Sequence, residues 1–261
     1  MTKVLIILQK EWLELSKERS LLLSTLLPPL LLALLPLAIM VAVGQTPDED
    51  TSQIGAVLAD PSLAGLTELE LGQVVVGRQF ALLLLLTPLI VPSIIASYSI
   101  VGEKTRRTLE PLLAAPVRAS ELLLGKCLAA LIPAVAVTWA GAAIFATGIA
   151  AAAVSPRVTT LVLSPGWVLA LLLCTPPLAL IMVAACVAIS SRVNDPRTAQ
   201  QISAVAIVPL LGLFFGQLIG VVVLSPAFAL GLAAALTALA ALAAWGAIRV
   251  FQRETILTRW G

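Results

Sequence analysis

The sequence predicts an all-α polytopic membrane protein with six transmembrane helices. Three observations carry that prediction. First, about 60% of the 261 residues are apolar and only 11% are charged, against roughly 45–50% and about 25% in an ordinary soluble domain. Second, the apolar excess gathers into six blocks, 20–43, 79–101, 127–153, 166–189, 201–224 and 227–248, each free of Asp, Glu, Lys, Arg and His. Each block exceeds the roughly 20 apolar residues that a helix needs to cross a bilayer core. Third, the basic residues fall on alternate connections. The longest segment outside the spans is 44–78 and the next is 102–126. Neither accommodates a nucleotide-binding domain, since one βαβ unit already takes about 30 residues. A soluble enzyme, a nucleic-acid reader and an ATPase within this chain are thereby excluded.

Along the chain, residues 2–19 come first. Leu5, Leu8, Trp12 and Leu15 recur at spacings of three and four, with Lys3, Lys10, Glu14 and Lys17 elsewhere on the helical wheel. This is the pattern of a helix lying in the membrane interface, with Trp12 suited to the headgroup level; a solvated lead-in helix is the alternative. In the first span, Ala42-Val43-Gly44 resembles a small-residue cleavage site. The uncharged run before it is far longer than the 7–15 residues of a signal-peptide core, so the span reads as retained. Segment 44–78 then forms an outer loop carrying Asp48, Glu49, Asp50, Asp60, Glu68 and Glu70.

Four basic residues precede the first span, five lie in 102–126, two in 190–200 and three in the C-terminal tail, which places 14 of the 16 on one side. The loops are short enough for the positive-inside rule to apply. Both termini are therefore expected on the cytoplasmic side of the cell membrane. Cys127, Cys174 and Cys186 lie in or at the edge of spans, where cysteine commonly acts as a small apolar filler, and no disulfide framework is expected.

Proline is frequent inside the spans: Pro28, Pro29, Pro36, Pro88, Pro92, Pro133, Pro176, Pro177 and Pro209. Each removes a backbone donor, and a membrane helix tolerates this where neighbours re-satisfy the freed carbonyl. Kinks of this kind suit a rocking transport cycle and equally suit ordinary irregular packing. In the fifth span, Gly212, Gly216 and Gly220 form a GxxxGxxxG strip that lets another helix approach closely. A protomer contact, packing within one protomer and a re-entrant bend after Pro209 all remain open. The sixth span, rich in Ala and Leu, repeats the signal weakly at Gly231 and Ala235.

Ion-coupled carriers commonly place an ionisable group at mid-membrane. The six spans contain none, and the protein has no histidine. No HExxH, paired CxxC or GxxxxGK[ST] motif occurs, so no metal, catalytic or phosphate-binding site is expected. Uphill transport would take its energy from a partner.

The informative connection is 102–126, GEKTRRTLEPLLAAPVRASELLLGK. Charges flank two apolar pieces, Leu109-Leu112-Leu113 and Leu122-Leu123-Leu124. Ser120 is placed to N-cap a helix with Glu121 in its first turn, and Pro116 separates two short helices. An apolar, charge-rimmed helix suits a groove on another protein; a helix lying back on the membrane surface is the other reading.

On these residues the chain resembles the permease subunits of type-2 ATP-binding-cassette (ABC) transporters. The resemblance rests on Gly102-Glu103-Lys104, Thr108-Leu109-Glu110-Pro111-Leu112-Leu113, Pro116-Val117 and Gly125-Lys126. It extends to Lys10-Glu11-Trp12, to the loop Ser190-Ser191-Arg192-Val193-Asn194-Asp195-Pro196 and to the six-span layout. Arg107 departs from the glycine that many members carry before the Thr-Leu-Glu run.

The resemblance implies a subunit paired with a second copy or close relative, with separate ABC ATPase subunits on the cytoplasmic side holding ATP and Mg. Residues 102–126 would supply the coupling helix, with Glu103, Lys104, Arg106, Arg107, Leu109, Glu110, Leu112 and Leu113 as its ATPase-coupling residues. Asp195 and Arg197 would open a second cytoplasmic contact. The chain itself would be no enzyme. An unionised interior favours a hydrophobic or amphipathic cargo, and family members export very different solutes. A force-transmitting subunit that moves no solute itself, and an ion-coupled carrier, are the alternative functions.

Overall fold

In a computed structural model, residues 2–43, 63–105, 119–190, 193, 195–218 and 224–250 are described. Every regular element among them is helical. Helix α1 is Thr2–Lys17 and α2 is Arg19–Val43. Helix α3, Glu68–Leu83, passes through a 3₁₀ turn at Leu84–Leu86 into α4, Thr87–Thr105. Helix α5 is Ala119–Ala152, α6 is the short Pro156–Val162, and α7 is Pro165–Ser190. Helix α8, Pro196–Ser203, continues through a 3₁₀ turn at Ala204–Ile207 into α9, Val208–Leu218, and α10 is Pro226–Val250.

Six stretches are long and apolar enough to cross a membrane: Arg19–Ala42, Glu68–Ser99, Glu121–Ala152, Pro156–Ser190, Arg197–Gln217 and Pro226–Arg249. The expected count holds, but several boundaries move. The second spanning helix begins at Glu68 instead of 79, taking the last part of the expected outer loop with it. The third begins at Ala119 instead of 127, so Leu122-Leu123-Leu124 belongs to the span and not to a separate short helix. Residues 102–105 extend α4, and the expected 154–165 loop contains α6. Charged residues end a charge-free block without ending a helix. Glu68, Glu70, Arg78, Glu121 and Lys126 are such residues; Glu68, Glu70 and Glu121 lie in the first turns, Arg78 donates to the Leu161 carbonyl and Lys126 is paired with Glu11. The early start of α3 is fixed by a capping box. The Thr67 hydroxyl accepts from the Glu70 N–H (3.3 Å), and the Glu70 carboxylate accepts from the Thr67 N–H (2.9 Å), which satisfies two orphan donors.

Proline explains both 3₁₀ turns. Pro88 has no N–H to give the Leu84 carbonyl, and that oxygen is taken instead by the Thr87 N–H. Pro209 leaves the Val205 carbonyl in the same position, and the Val208 N–H takes it. The tighter i+3 bond replaces the missing i+4 bond.

The second and fourth spans form the centre. Helix α4 packs on α7 and α5, α2 lies along α5, and α10 lies along α7. Leu85, Leu89, Val91, Phe145, Ile149 and Met182 are among the side chains shut in between them. The second span is mostly buried within the chain, whereas the fifth and sixth leave most of their surface exposed. In water such outer faces would aggregate; facing lipid or another subunit, they have an apolar surround.

Candidate functional site

The described polar chemistry concentrates where α1 meets the ends of α4 and α5, the two stems of the 106–118 segment. Helix α1 turns Leu8, Glu11 and Leu15 toward the protein, while Leu5, Ile6 and Leu13 stay exposed. The expected apolar face is therefore split: Leu8 and Leu15 point inward, Leu5 points outward, and Trp12 lies at the rim, 39% exposed. Gly125 allows the close approach. A Cβ there would sit 2.7 Å from Ile7 Cγ2 and 2.8 Å from Ile7 Cβ.

Within this contact Glu11 and Lys126 form a buried ion pair, Nζ to Oε1 2.8 Å, with side-chain exposures of 5% and 2%. The Ser99 hydroxyl donates to Glu11 Oε2 (2.7 Å). Lys126 also reaches the Ser99 carbonyl (3.2 Å) and hydroxyl (3.0 Å). Lys10 lies 3.5 Å from Glu11 and 3.2 Å from Glu14. Burial by itself pushes the Glu11 carboxyl up. The Lys126 ammonium beside it, the hydrogen bonds from Lys126 and Ser99 and the charge of Lys10 outweigh that, and hold Glu11 below the usual carboxylate range. Desolvating two charges is tolerable only when geometry and extra hydrogen bonds compensate, and both are present.

One turn along, the Trp12 indole donates to the Ala129 carbonyl (3.3 Å). Pro133, four residues after Ala129, has no N–H for that oxygen. Pro133 thus leaves an acceptor free within α5, and α1 covers it.

At the far end of the spans a second polar knot has no formal charge. Gln73, 1% exposed, donates to the Met40 carbonyl (3.4 Å) and the Ala152 carbonyl (3.3 Å), and accepts from the Val154 N–H (3.0 Å). Met40 and Ala152 are in the last turns of α2 and α5, where carbonyls lack intrahelical partners. One amide therefore finishes two spans. Around it, the Ser155 hydroxyl donates to Glu70 (2.6 Å), Arg157 donates to the Ala64 carbonyl (2.9 Å) and Arg78 donates to the Leu161 carbonyl (3.2 Å). The Trp167 indole donates to the Ala81 carbonyl (2.8 Å), and Gln217 of α9 donates to the Arg78 carbonyl (3.2 Å).

Of the sequence-selected residues, Glu103 and Lys104 are in the last turn of α4. Arg106, Arg107, Leu109, Glu110, Leu112 and Leu113 lie outside the described residues, as does Gly220. Asp195 N-caps α8, its carboxylate accepting from the Thr198 N–H (2.9 Å) and hydroxyl (3.0 Å), with Pro196 at the first helical position. Those bonds, the backbone one foremost, hold the Asp195 carboxyl below its usual value. Arg197 is exposed beside it. Gly212 is exposed, with no atom of another described element within 4 Å of where a Cβ would stand, and Gly216 is half-buried. The Glu11–Lys126–Ser99 cluster and Gln73 were not singled out as sites from the sequence. Glu11 is visible in hindsight as the acid at i+3 from Leu8 and i−4 from Leu15, inside an apolar face.

Six spans, with a helix docked across the stems of a short charged connection, define a polytopic helical membrane protein; among the described residues there is no group of ligands suited to a metal. The family described as ABC-2 family transporter protein matches residues 5–231. The chain belongs to that family and is a membrane permease subunit of an ABC transporter, a class without an ATPase site of its own. Among curated proteins none matches the chain.

Proposed function

We propose that this permease is the membrane half of an exporter driven by separate ABC ATPase subunits, which hold ATP and Mg and engage the chain through residues 102–126. The observation that carries this reading is the structure built around the stems of that segment. Helix α1 is fixed to the α5 stem by a buried ion pair and to the α4 stem by a hydrogen bond from Ser99, so the segment is presented from a braced base. In the proposed arrangement α1 lies in the cytoplasmic interface of the cell membrane, its exposed Leu5, Ile6 and Leu13 toward lipid, and both termini are cytoplasmic. A second copy or close relative covers part of the exposed faces of the outer spans. Glu103, Lys104, Arg106, Arg107 and Glu110 rim the apolar Leu109, Leu112 and Leu113, which seat in the ATPase groove, and Asp195 with Arg197 opens a smaller contact. Closure of the ATPases then moves the stems, and through them the second and third spans.

The test is capture of the co-expressed ATPase by permease variants that still insert. Replacing Leu109, Leu112 and Leu113 by Asp puts unpaired carboxylates into the proposed contact at a cost of several kcal/mol. The ATPase should then be lost. Glu110→Ala, which removes exposed pairs worth about 0–1 kcal/mol each, should leave it bound. Full retention by the Asp variants would assign residues 103–113 to the membrane surface instead.

A further inference from the structure

We infer that Glu11, Lys126 and Ser99 are positioning residues that make α1 and both stems of the 102–126 segment move as one body, so that α1 is part of the transmission and not only its anchor. The inference rests on the coupling role proposed above for that segment, but the contact supporting it is independent of that role. Three helices meet in the cluster: Glu11 from α1, Ser99 from α4 and Lys126 from α5. Each member binds the other two, so neither stem can shift relative to the other, or to α1, without exposing a charge to an apolar surround. A general apolar contact permits sliding. A buried ion pair with shared hydrogen bonds has few alternative arrangements, because partly broken geometries leave a charge unpaired.

Two further contacts lock the same junction from the α5 side. Gly125 brings Ile7 against the backbone, and Trp12 holds the Ala129 carbonyl that Pro133 leaves free. Lys126 is thus flanked by contacts to α1 at the residue before it and three residues after it. Moving α5 in register with α1 keeps all of them; moving it alone breaks all of them.

This predicts that a covalent lock between α1 and α5 is harmless. In a chain whose Cys127, Cys174 and Cys186 are replaced by Ser, Ile7→Cys and Gly125→Cys place two Cβ atoms about 2.8 Å apart. A relaxation of about 1 Å brings them to disulfide spacing. The locked permease should stimulate ATP hydrolysis by its co-purified ATPase as well as the reduced one does. The double variant Glu11→Gln/Lys126→Met removes both charges together, which avoids stranding one of them and keeps the fold. With the ATPase still captured, its stimulation should fall by about tenfold, equivalent to about 1.4 kcal/mol in the barrier, and the 7–125 disulfide should restore it.

Loss of stimulation on locking the otherwise native pair would overturn the inference, because α1 and α5 would then have to separate during the cycle. So would undiminished stimulation in the double variant. If no ATPase is captured by the native chain, the proposed coupling role fails and the cross-linking rate decides this inference separately. Disulfide formation at 7–125 in membranes should be fast with Glu11 and Lys126 present and slowed severalfold in the double variant. Equal rates would show that the cluster does not set the position of α1.

Discussion

The two ends of the span bundle are closed by the same device in two different chemistries. At the α1 end, Glu11, Lys126 and Ser99 join three helices through an ion pair. At the far end, Gln73 joins the last turns of α2 and α5 to α3 through a neutral amide. Both insert one long polar side chain where backbone or charged groups would otherwise be unpaired in an apolar surround. They differ in what disturbs them. An amide keeps its donors and acceptor at every ordinary pH, whereas an ion pair depends on protonation, and loss of one partner strands the other. The permanent fastening lies away from the 102–126 segment, and the charge-dependent one lies at its base.

The largest effect is expected from stranding a charge. Lys126→Met leaves Glu11 buried with only the longer Lys10 contact (3.5 Å) and the Ser99 hydroxyl, and breaking a buried pair costs about 3–5 kcal/mol. Thermal unfolding of the detergent-purified permease should show the loss, and adding Glu11→Gln should recover part of it. An additive double variant would mean that the two side chains do not act as a pair. Gln73→Leu comes next. It leaves the Met40 and Ala152 carbonyls and the Val154 N–H without their side-chain partner, at about 1–3 kcal/mol for each group that stays dry. Helix ends near the membrane surface regain some water, so about 2–4 kcal/mol in total is expected from the same principle. No charge is stranded here, so no second substitution at an ionisable residue should rescue it.

Acid separates the two ends more sharply. Glu11 is held below the usual carboxylate range, so its contribution to stability is fully present above about pH 4.5, the ordinary range for a glutamate. It is lost as the pH falls through the lower value of the folded protein. The stability difference between the native chain and Glu11→Gln/Lys126→Met should therefore be constant from pH 7 to 5 and shrink below that. The difference between the native chain and Gln73→Leu should not change over the same range. The smallest effect belongs to Trp12→Phe, which removes one indole donor from the Ala129 carbonyl for about 1 kcal/mol. If the carbonyl matters because Pro133 frees it, Pro133→Ala should make Trp12→Phe cost less.

These contrasts also mark what the sequence made legible. The number of spans and their order follow from charge-free blocks of sufficient length, because the bilayer sets one dominant length scale. Helix ends were less legible. Glu68, Glu70 and Arg78 broke the second block, and Glu121 and Lys126 the third, although each sits within a continuous helix. The Thr67–Glu70 capping box was a usable local signal for the true start of α3. The ion-pair cluster was hidden for a different reason. Glu11 and Lys126 are 115 residues apart, and nothing local in either helix specifies the other as its partner. Trp12 and Pro133 pose the same problem: a proline announces a free carbonyl but not the side chain that covers it. The N-cap at Asp195, by contrast, is formed by residues adjacent in the chain.

The account turns on where the energy for transport enters, and ATP hydrolysis measured in proteoliposomes tests that most directly. The purified permease alone should hydrolyse no ATP and should accumulate no solute under an imposed proton gradient, because its sequence carries no phosphate loop and its six charge-free blocks no ionisable group. Hydrolysis should appear only when a separate ABC ATPase is reconstituted with it. ATP turnover by this chain alone, or gradient-driven accumulation without an ATPase, would contradict the account.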